Sequence, residues 1–190
     1  MLTDIFNTDK KYSIIYADPP WTYPKTGGIK HSRGMAKSHY ATMKLEEIEA
    51  LPVKNIVSDN CILFMWCTYP QLENGLKVIN TWGFKYFGLG FNWIKKTSHG
   101  KDFVGMGYWA RANPEPCLMA IKGKMKPQRH DIRQIIYAPI GKHSVKPPIV
   151  REKIIALAGD LPRIELFARE QFPGWDAWGN EIEIGGDNNA

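Results

Sequence analysis

Residues 11–23 read Lys-Tyr-Ser-Ile-Ile-Tyr-Ala-Asp-Pro-Pro-Trp-Thr-Tyr, and the reading of this stretch decides the fold. The run Tyr12 to Ala17, rich in β-branched and aromatic residues, predicts a strand that meets an acid and two prolines with no turn signal before them. Proline has no N–H to give a ladder, its φ is fixed near about −65°, and the residue before it is pushed out of the helical region. The chain therefore leaves the sheet at Asp18, at the strand's carboxyl end. It continues as a stiff tetrapeptide that projects a carboxylate, bare carbonyls and an indole from the sheet's edge.

Comparable apolar runs recur at Cys61 to Cys67, Lys85 to Ile94, Cys117 to Ile121, Ile135 to Tyr137, Arg163 to Ala168 and Trp175 to Trp178. Several are apolar at successive positions, as strands buried between two helical layers are. Helical patterns lie between them: Leu45 to Leu51 with acids in its first turn, Gln71 to Trp82 closed by Gly83, and Pro147 to Ala158 closed by Gly159. Strands alternating with helices predict an α/β sheet, largely parallel and covered on both sides, with ligand sites beyond the carboxyl ends of its strands. Asp18 stands at one such end and Arg169 just past another.

At 190 residues, 44% hydrophobic and 23% charged, the chain has an ordinary globular composition. No apolar run reaches the length of a membrane helix and no signal-peptide pattern opens the sequence, so no membrane partner is expected. Cys61, Cys67 and Cys117 form no Cys-x-x-Cys pair and sit inside apolar runs, which reads as buried free thiols rather than metal ligands and fits a cytoplasmic location. The formal net charge is +6, and its placement is informative. Lys25, Lys30, His31, Arg33, Lys37 and His39 follow the Pro-Pro-Trp, and Lys122, Lys124, Lys126, Arg129, His130 and Arg133 form a second run. Either run is commonly no more than a solvated surface; two of them, one abutting the acid and tryptophan, point to phosphate contact.

Asp18-Pro19-Pro20-Trp21 resembles the catalytic motif of S-adenosylmethionine-dependent methyltransferases that act on the exocyclic nitrogen of adenine or cytosine. From about Asp4 to Glu181 the sequence resembles the DPPW family of adenine-N6 methyltransferases. Tyr40 to Met43, Leu63 to Trp66, Asn92 to Lys95, Glu115 to Gly123, His143 to Pro147, Ile164 to Arg169 and Gly174 to Glu181 are similar to successive family elements, in order. The resemblance implies a Rossmann-like methyltransferase fold with a mostly parallel central sheet and a permuted order, catalytic motif before cofactor motif. It implies one catalytic domain over residues 1–184 and a frayed tail over 185–190.

The chemistry explains the motif. The N6 lone pair of adenine is delocalised into the ring, and acceptors for its two N–H bonds return it to nitrogen. The carboxylate of Asp18 and the carbonyl of Pro19 are assigned to these bonds, with Pro19 and Pro20 supplying rigidity and Trp21 a stacking face. A duplex hides this amine, so the target base is flipped or unpaired. By resemblance Tyr40 helps hold it, although a tyrosine there is as often simple packing. Lys25, Lys30 and Arg33 meet phosphates, and Trp109 lies in a loop read as exposed. For the cofactor, S-adenosylmethionine, the resemblance implies Ala17 and Asp18, ribose contacts from Asn180 and Glu181, and methionine contacts from Lys146 and Arg169. Glu165 is assigned to Arg169 or the cofactor's amino group, with a surface ion pair as the alternative, and Asp4-Ile5 to its adenine. His143 and Ser144 read as loop residues rather than parts of a triad.

The expected function is methylation of adenine N6 in DNA, with the same reaction on RNA as the alternative. A non-catalytic nucleic-acid-binding partner subunit is the third reading, and the presence of Asp18, Lys146, Arg169 and Asn180 speaks against it. The small size leaves room for a homodimer, which would widen the nucleic-acid surface.

Overall fold

The computed structural model describes residues 1–22, 42–107, 109–141, 145–180 and 182. Its strands are β1 (Tyr12–Ala17), β2 (Val57–Trp66), β3 (Lys85–Lys96), β4 (Glu115–Lys122), β5 (Ile135–Pro139), β6 (Arg163–Leu166) and β7 (Asp176–Trp178). Its helices are α1 (Leu45–Glu49), α2 (Val53–Ile56), α3 (Leu72–Thr81) and α4 (Ile149–Ala158). The strands form one sheet in the order β5-β3-β4-β2-β1-β6-β7. β1 pairs in parallel with β2 and β6, β6 with β7, and β3 with β5. β4 alone of these strands is reversed, antiparallel to both β2 and β3.

This topology creates the site. Six strands point their carboxyl ends at one rim, and β4 brings its amino end, Glu115, to that same rim. The second basic run joins the carboxyl end of β4 to the amino end of β5, so it lies at the opposite rim. Of the two basic runs, the second is thus carried away from Asp18 by the reversed strand.

Both faces of the sheet are covered. Ile15 and Ala17 of β1 enter one core cluster with Ile48 of α1, Val53 and Ile56 of α2, and Val78 and Ile79 of α3. Ile14 and Tyr16 enter the other with Val150, Ile154 and Ala158 of α4. Alternate residues of β1 thus serve opposite cores, which is why Ile14 to Ala17 read as one unbroken apolar run. The glycines end their helices as expected, Gly83 at φ +85° and Gly159 at φ +97°. The N-terminal segment extends the sheet beyond β7: Leu2 bridges Ala177 in parallel and the amide of Thr3 donates to the Ala177 carbonyl at 3.0 Å. All three cysteines are free and buried, and no helix among the described residues is long and apolar enough to cross a membrane.

Candidate active site

Ala17 ends β1 fully buried, paired with Met65 on one side and Leu166 on the other. The turn that follows is tied down at each step. The Trp21 amide donates to the Pro19 carbonyl at 2.9 Å, and the Met43 amide to the Pro20 carbonyl at 2.9 Å. Trp21 itself departs from the sequence reading. Its ring is only 7% exposed and its Nε1 donates to the Trp66 carbonyl at 3.1 Å. The indole packs inward because the first core beside Ile48 and Met65 offers it an apolar bed, so it braces the turn instead of presenting an open stacking face.

A chain of alternating charge runs from Asp18 across the rim. Lys146 Nζ lies 2.7 Å from Asp18 Oδ2 and 3.2 Å from Glu115 Oε1, and Lys95 Nζ lies 2.7 Å from Glu115 Oε2. Lys146 also sits over the Trp66 ring, 5.6 Å from its centroid. Burial pushes the Asp18 carboxyl above its ordinary range, against the pull of the Lys146 ammonium. Burial works against charge on Glu115 as well, but Lys146 and Lys95 outweigh it and hold that carboxyl below its usual value. Lys146 is likewise desolvated, yet its two carboxylate partners keep its pKa above the ordinary lysine value. Asn113 fixes the outer end, accepting from the Lys95 amide at 2.8 Å and donating to the Lys95 and Phe103 carbonyls. Glu115, Lys95 and Asn113 were not singled out by sequence reasoning. The only hint was the stretch Asn113-Pro114-Glu115, which places a carboxylate at the start of an apolar strand.

The ends of β6 and β7 form the neighbouring part of the rim. Phe167 takes a left-handed φ of +61° just after β6 and packs edge-on against Trp178, with centroids 5.4 Å apart. Phe6 lies 6.1 Å from Trp178 on the same rim, next to a buried Ile5, so Asp4-Ile5 is brought there too. Asp4 Oδ1 accepts from the Phe6 amide at 3.0 Å. Arg169 is half-buried, close enough to Asp18 to lower its pKa, and Asn180 is exposed beyond β7. Gly179 is demanded by a close approach: a Cβ there would stand 2.1 Å from the Ala168 carbonyl oxygen.

Glu165 is the second correction. It faces α4 on the side of the sheet opposite Ile164, and both of its oxygens accept from Arg151, at 2.7 Å from Nε and 2.6 Å from Nη2. Period-two alternation along β6 turns it toward Arg151, a partner the sequence did not reveal. Trp109, in the β3–β4 connection on the same rim as Asp18, is 96% exposed. Tyr40, Lys25, Lys30, Arg33, Glu181, His143 and Ser144 lie outside the described residues.

The MT-A70 family model matches residues 12–181, almost the whole of the architecture just described. The chain belongs to the MT-A70 family. The family resemblance read from the sequence is borne out. Among curated MT-A70 relatives it is 37% identical to the type II methyltransferase M.MunI of a Mycoplasma species, over 91% of this chain and 78% of that protein. It is 27% identical to the mouse N(6)-adenine-specific methyltransferase METTL4, over 94% of this chain and 39% of that protein. Against human METTL3, the catalytic subunit of an N(6)-adenosine-methyltransferase, identity is 26% over 91% of this chain and 28% of that protein. The chain thus spans most of the Mycoplasma enzyme and well under half of the two mammalian ones.

Proposed function

We propose that this chain is an S-adenosylmethionine-dependent methyltransferase that modifies the N6 amine of adenine in DNA. The observation that carries the proposal is Asp18: a half-buried carboxylate at the end of a central strand, on a turn locked by hydrogen bonds, with Lys146 at 2.7 Å. Its likeness to a type II methyltransferase exceeds its likeness to the N(6)-adenosine relative, which favours DNA over RNA.

The residues of the rim suit the cofactor by their chemistry. Asn180 offers an amide to ribose hydroxyls and Arg169 a guanidinium to a carboxylate. The close approach at Gly179 keeps the β6 and β7 ends together, where the half-buried Phe167 supplies apolar surface for a flat ring. Bound there, S-adenosylmethionine supplies an electrophilic methyl group on a sulfonium. Asp18 accepts one N–H of the target amine. The Pro19 carbonyl already accepts the Trp21 amide with one lone pair, and its second accepts the other N–H. Positive charge developing on nitrogen is stabilised by the carboxylate, and the proton the amine loses passes to it; burial makes Asp18 the more ready to take it. Lys146 keeps that carboxylate ionised and oriented beforehand.

The test is incubation of purified protein with methyl-tritiated S-adenosylmethionine and either adenine-containing duplex DNA or single-stranded RNA, beside an Asp18→Asn variant. Label recovered as N6-methyladenine from DNA, lost in the variant while the cofactor still binds, is the expected result. Label in RNA alone would replace the polymer, and no label in either with no cofactor binding would sink the enzymatic reading.

A further inference from the structure

The rim opposite Asp18 carries an arrangement that the methyl-transfer site does not use. Lys124, Lys126, Arg129, His130 and Arg133 are all exposed on the segment between β4 and β5, with Asp131, bound to Arg129 at 2.5 Å, as the acid among them. The segment has no helix or strand of its own, yet it is pinned along its length. The Lys124 amide donates to Asn60 Oδ1 at 2.6 Å, the Gln128 amide to the Leu157 carbonyl at 2.8 Å, and Gln134 Nε2 to the Leu89 carbonyl at 2.6 Å. Gly123 turns it at φ +70°, where a Cβ would stand 2.1 Å from the Asp59 carbonyl oxygen. A merely solvated loop needs no such anchoring, whereas cations held in place lose less entropy on meeting a ligand.

Lys126, Arg129 and His130 line an apolar cavity of about 280 Å³ together with Ile62, Met119 and Phe87. Phe87 is 69% exposed and its neighbour Tyr86 42%, unusual for aromatic rings with no packing role. Cations on a pinned backbone beside an aromatic-walled slot form the pattern that takes a nucleic-acid strand, phosphates on the charges and an unpaired base against the ring. Resting on the methyltransferase reading above, we propose that this face is an accessory binding surface for the substrate strand, remote from the base that is methylated. β4 spans the two rims in eight residues, which at about 3.3 Å per residue is roughly 25 Å. At about 3.4 Å per nucleotide of a stacked strand, the contact falls roughly seven nucleotides from the target.

The proposal predicts a length effect. Fluorescence anisotropy and methylation kinetics would compare a 9-mer and a 25-mer of single-stranded DNA, each with one central adenine. The proteins would be wild type, Lys124→Gln/Lys126→Gln/Arg133→Gln, and Phe87→Ala. The wild type binds the 25-mer at least tenfold more tightly, with a steeper salt dependence. Loss of three phosphate contacts lowers the slope of log K against log salt by about 2 and removes the advantage. Phe87→Ala weakens the 25-mer about tenfold. Neither variant changes kinetics on the 9-mer, which also shows that both fold. Equal affinity for the two lengths in the wild type, or a 25-mer advantage that survives both variants, overturns the proposal. Intact length-dependent binding with no methylation of either oligonucleotide would instead refute the catalytic reading and leave this one standing.

Discussion

Lys146→Met removes the ammonium in contact with the Asp18 carboxylate and leaves Glu115 in the same buried neighbourhood. At the observed 2.7 Å, two unit charges in an effective dielectric of about 20 attract by about 6 kcal/mol. The Asp18 side chain is 24% exposed, and water offsets part of this, leaving about 3 kcal/mol as the favour Lys146 shows to the ionised form. Without it the Asp18 carboxyl, already raised by burial, rises further, and a larger share of it is protonated at neutral pH. A neutral acid is a poor acceptor for the amine, so kcat at pH 7 falls, by at most roughly 100-fold, the limit set by about 3 kcal/mol at 1.36 kcal/mol per tenfold. The sign follows from the charge: the acid limb of the kcat profile moves to higher pH, and activity returns as Asp18 ionises. Glu115→Gln acts oppositely. Glu115 raises the Asp18 pKa, so its neutralisation moves the limb to lower pH. Cofactor affinity is measured separately by calorimetry, because Lys146 is also a candidate cofactor ligand. A Lys146→Met enzyme that still binds cofactor but keeps the wild-type limb, or two variants whose limbs move the same way, would refute the electrostatic account.

Arg151→Met strands Glu165 in a buried site, where even with Arg151 present its carboxyl is raised by burial. Thermal melts should show a loss of about 3–5 kcal/mol at pH 8. The deficit shrinks toward pH 5, because protonation relieves a group whose folded pKa lies above its unfolded one. Gly179→Ala forces the β6 and β7 ends apart, since the added Cβ would stand 2.1 Å from the Ala168 carbonyl oxygen. A destabilisation of about 3 kcal/mol lowers Tm by roughly 10 °C, and calorimetry should show weakened cofactor binding. Trp21→Phe keeps the packing but orphans the Trp66 carbonyl that Nε1 reaches at 3.1 Å. It should cost about 1–3 kcal/mol in chemical denaturation while reducing kcat less than tenfold, and a larger kcat loss with unchanged stability would restore Trp21 as a base platform.

The elements were legible where period and punctuation agree. β1 is found at the residues its apolar run predicts, and α3 and α4 stop at the glycines that follow them. Direction was not legible: an apolar run does not reveal which way its strand points, and the reversal of β4 decides both where Glu115 arrives and where the second basic run goes. The motif located Asp18, but not the alternating charges that set its pKa, since Lys95, Glu115 and Lys146 converge only through strand pairing. Glu165 was legible as a strand-end acid, while nothing in the sequence marks Arg151, on a separate helix, as its partner. Trp21 was misread because the core that receives it comes from α1 and β2, distant in sequence.

The central position of β1 also dictates when activity can arise. Ile15 pairs through its ladder with Ile164 of β6, so one flank of β1 stays open until residues about 150 positions later have been made. At synthesis rates of about 5–20 residues per second, that wait is on the order of ten seconds. Throughout it the catalytic tetrapeptide is already made, while Lys146 and Arg169 are not. High contact order, usually a kinetic handicap, here delays the moment at which Asp18 first meets Lys146: a nascent chain carries the carboxylate before the charges that tune it exist.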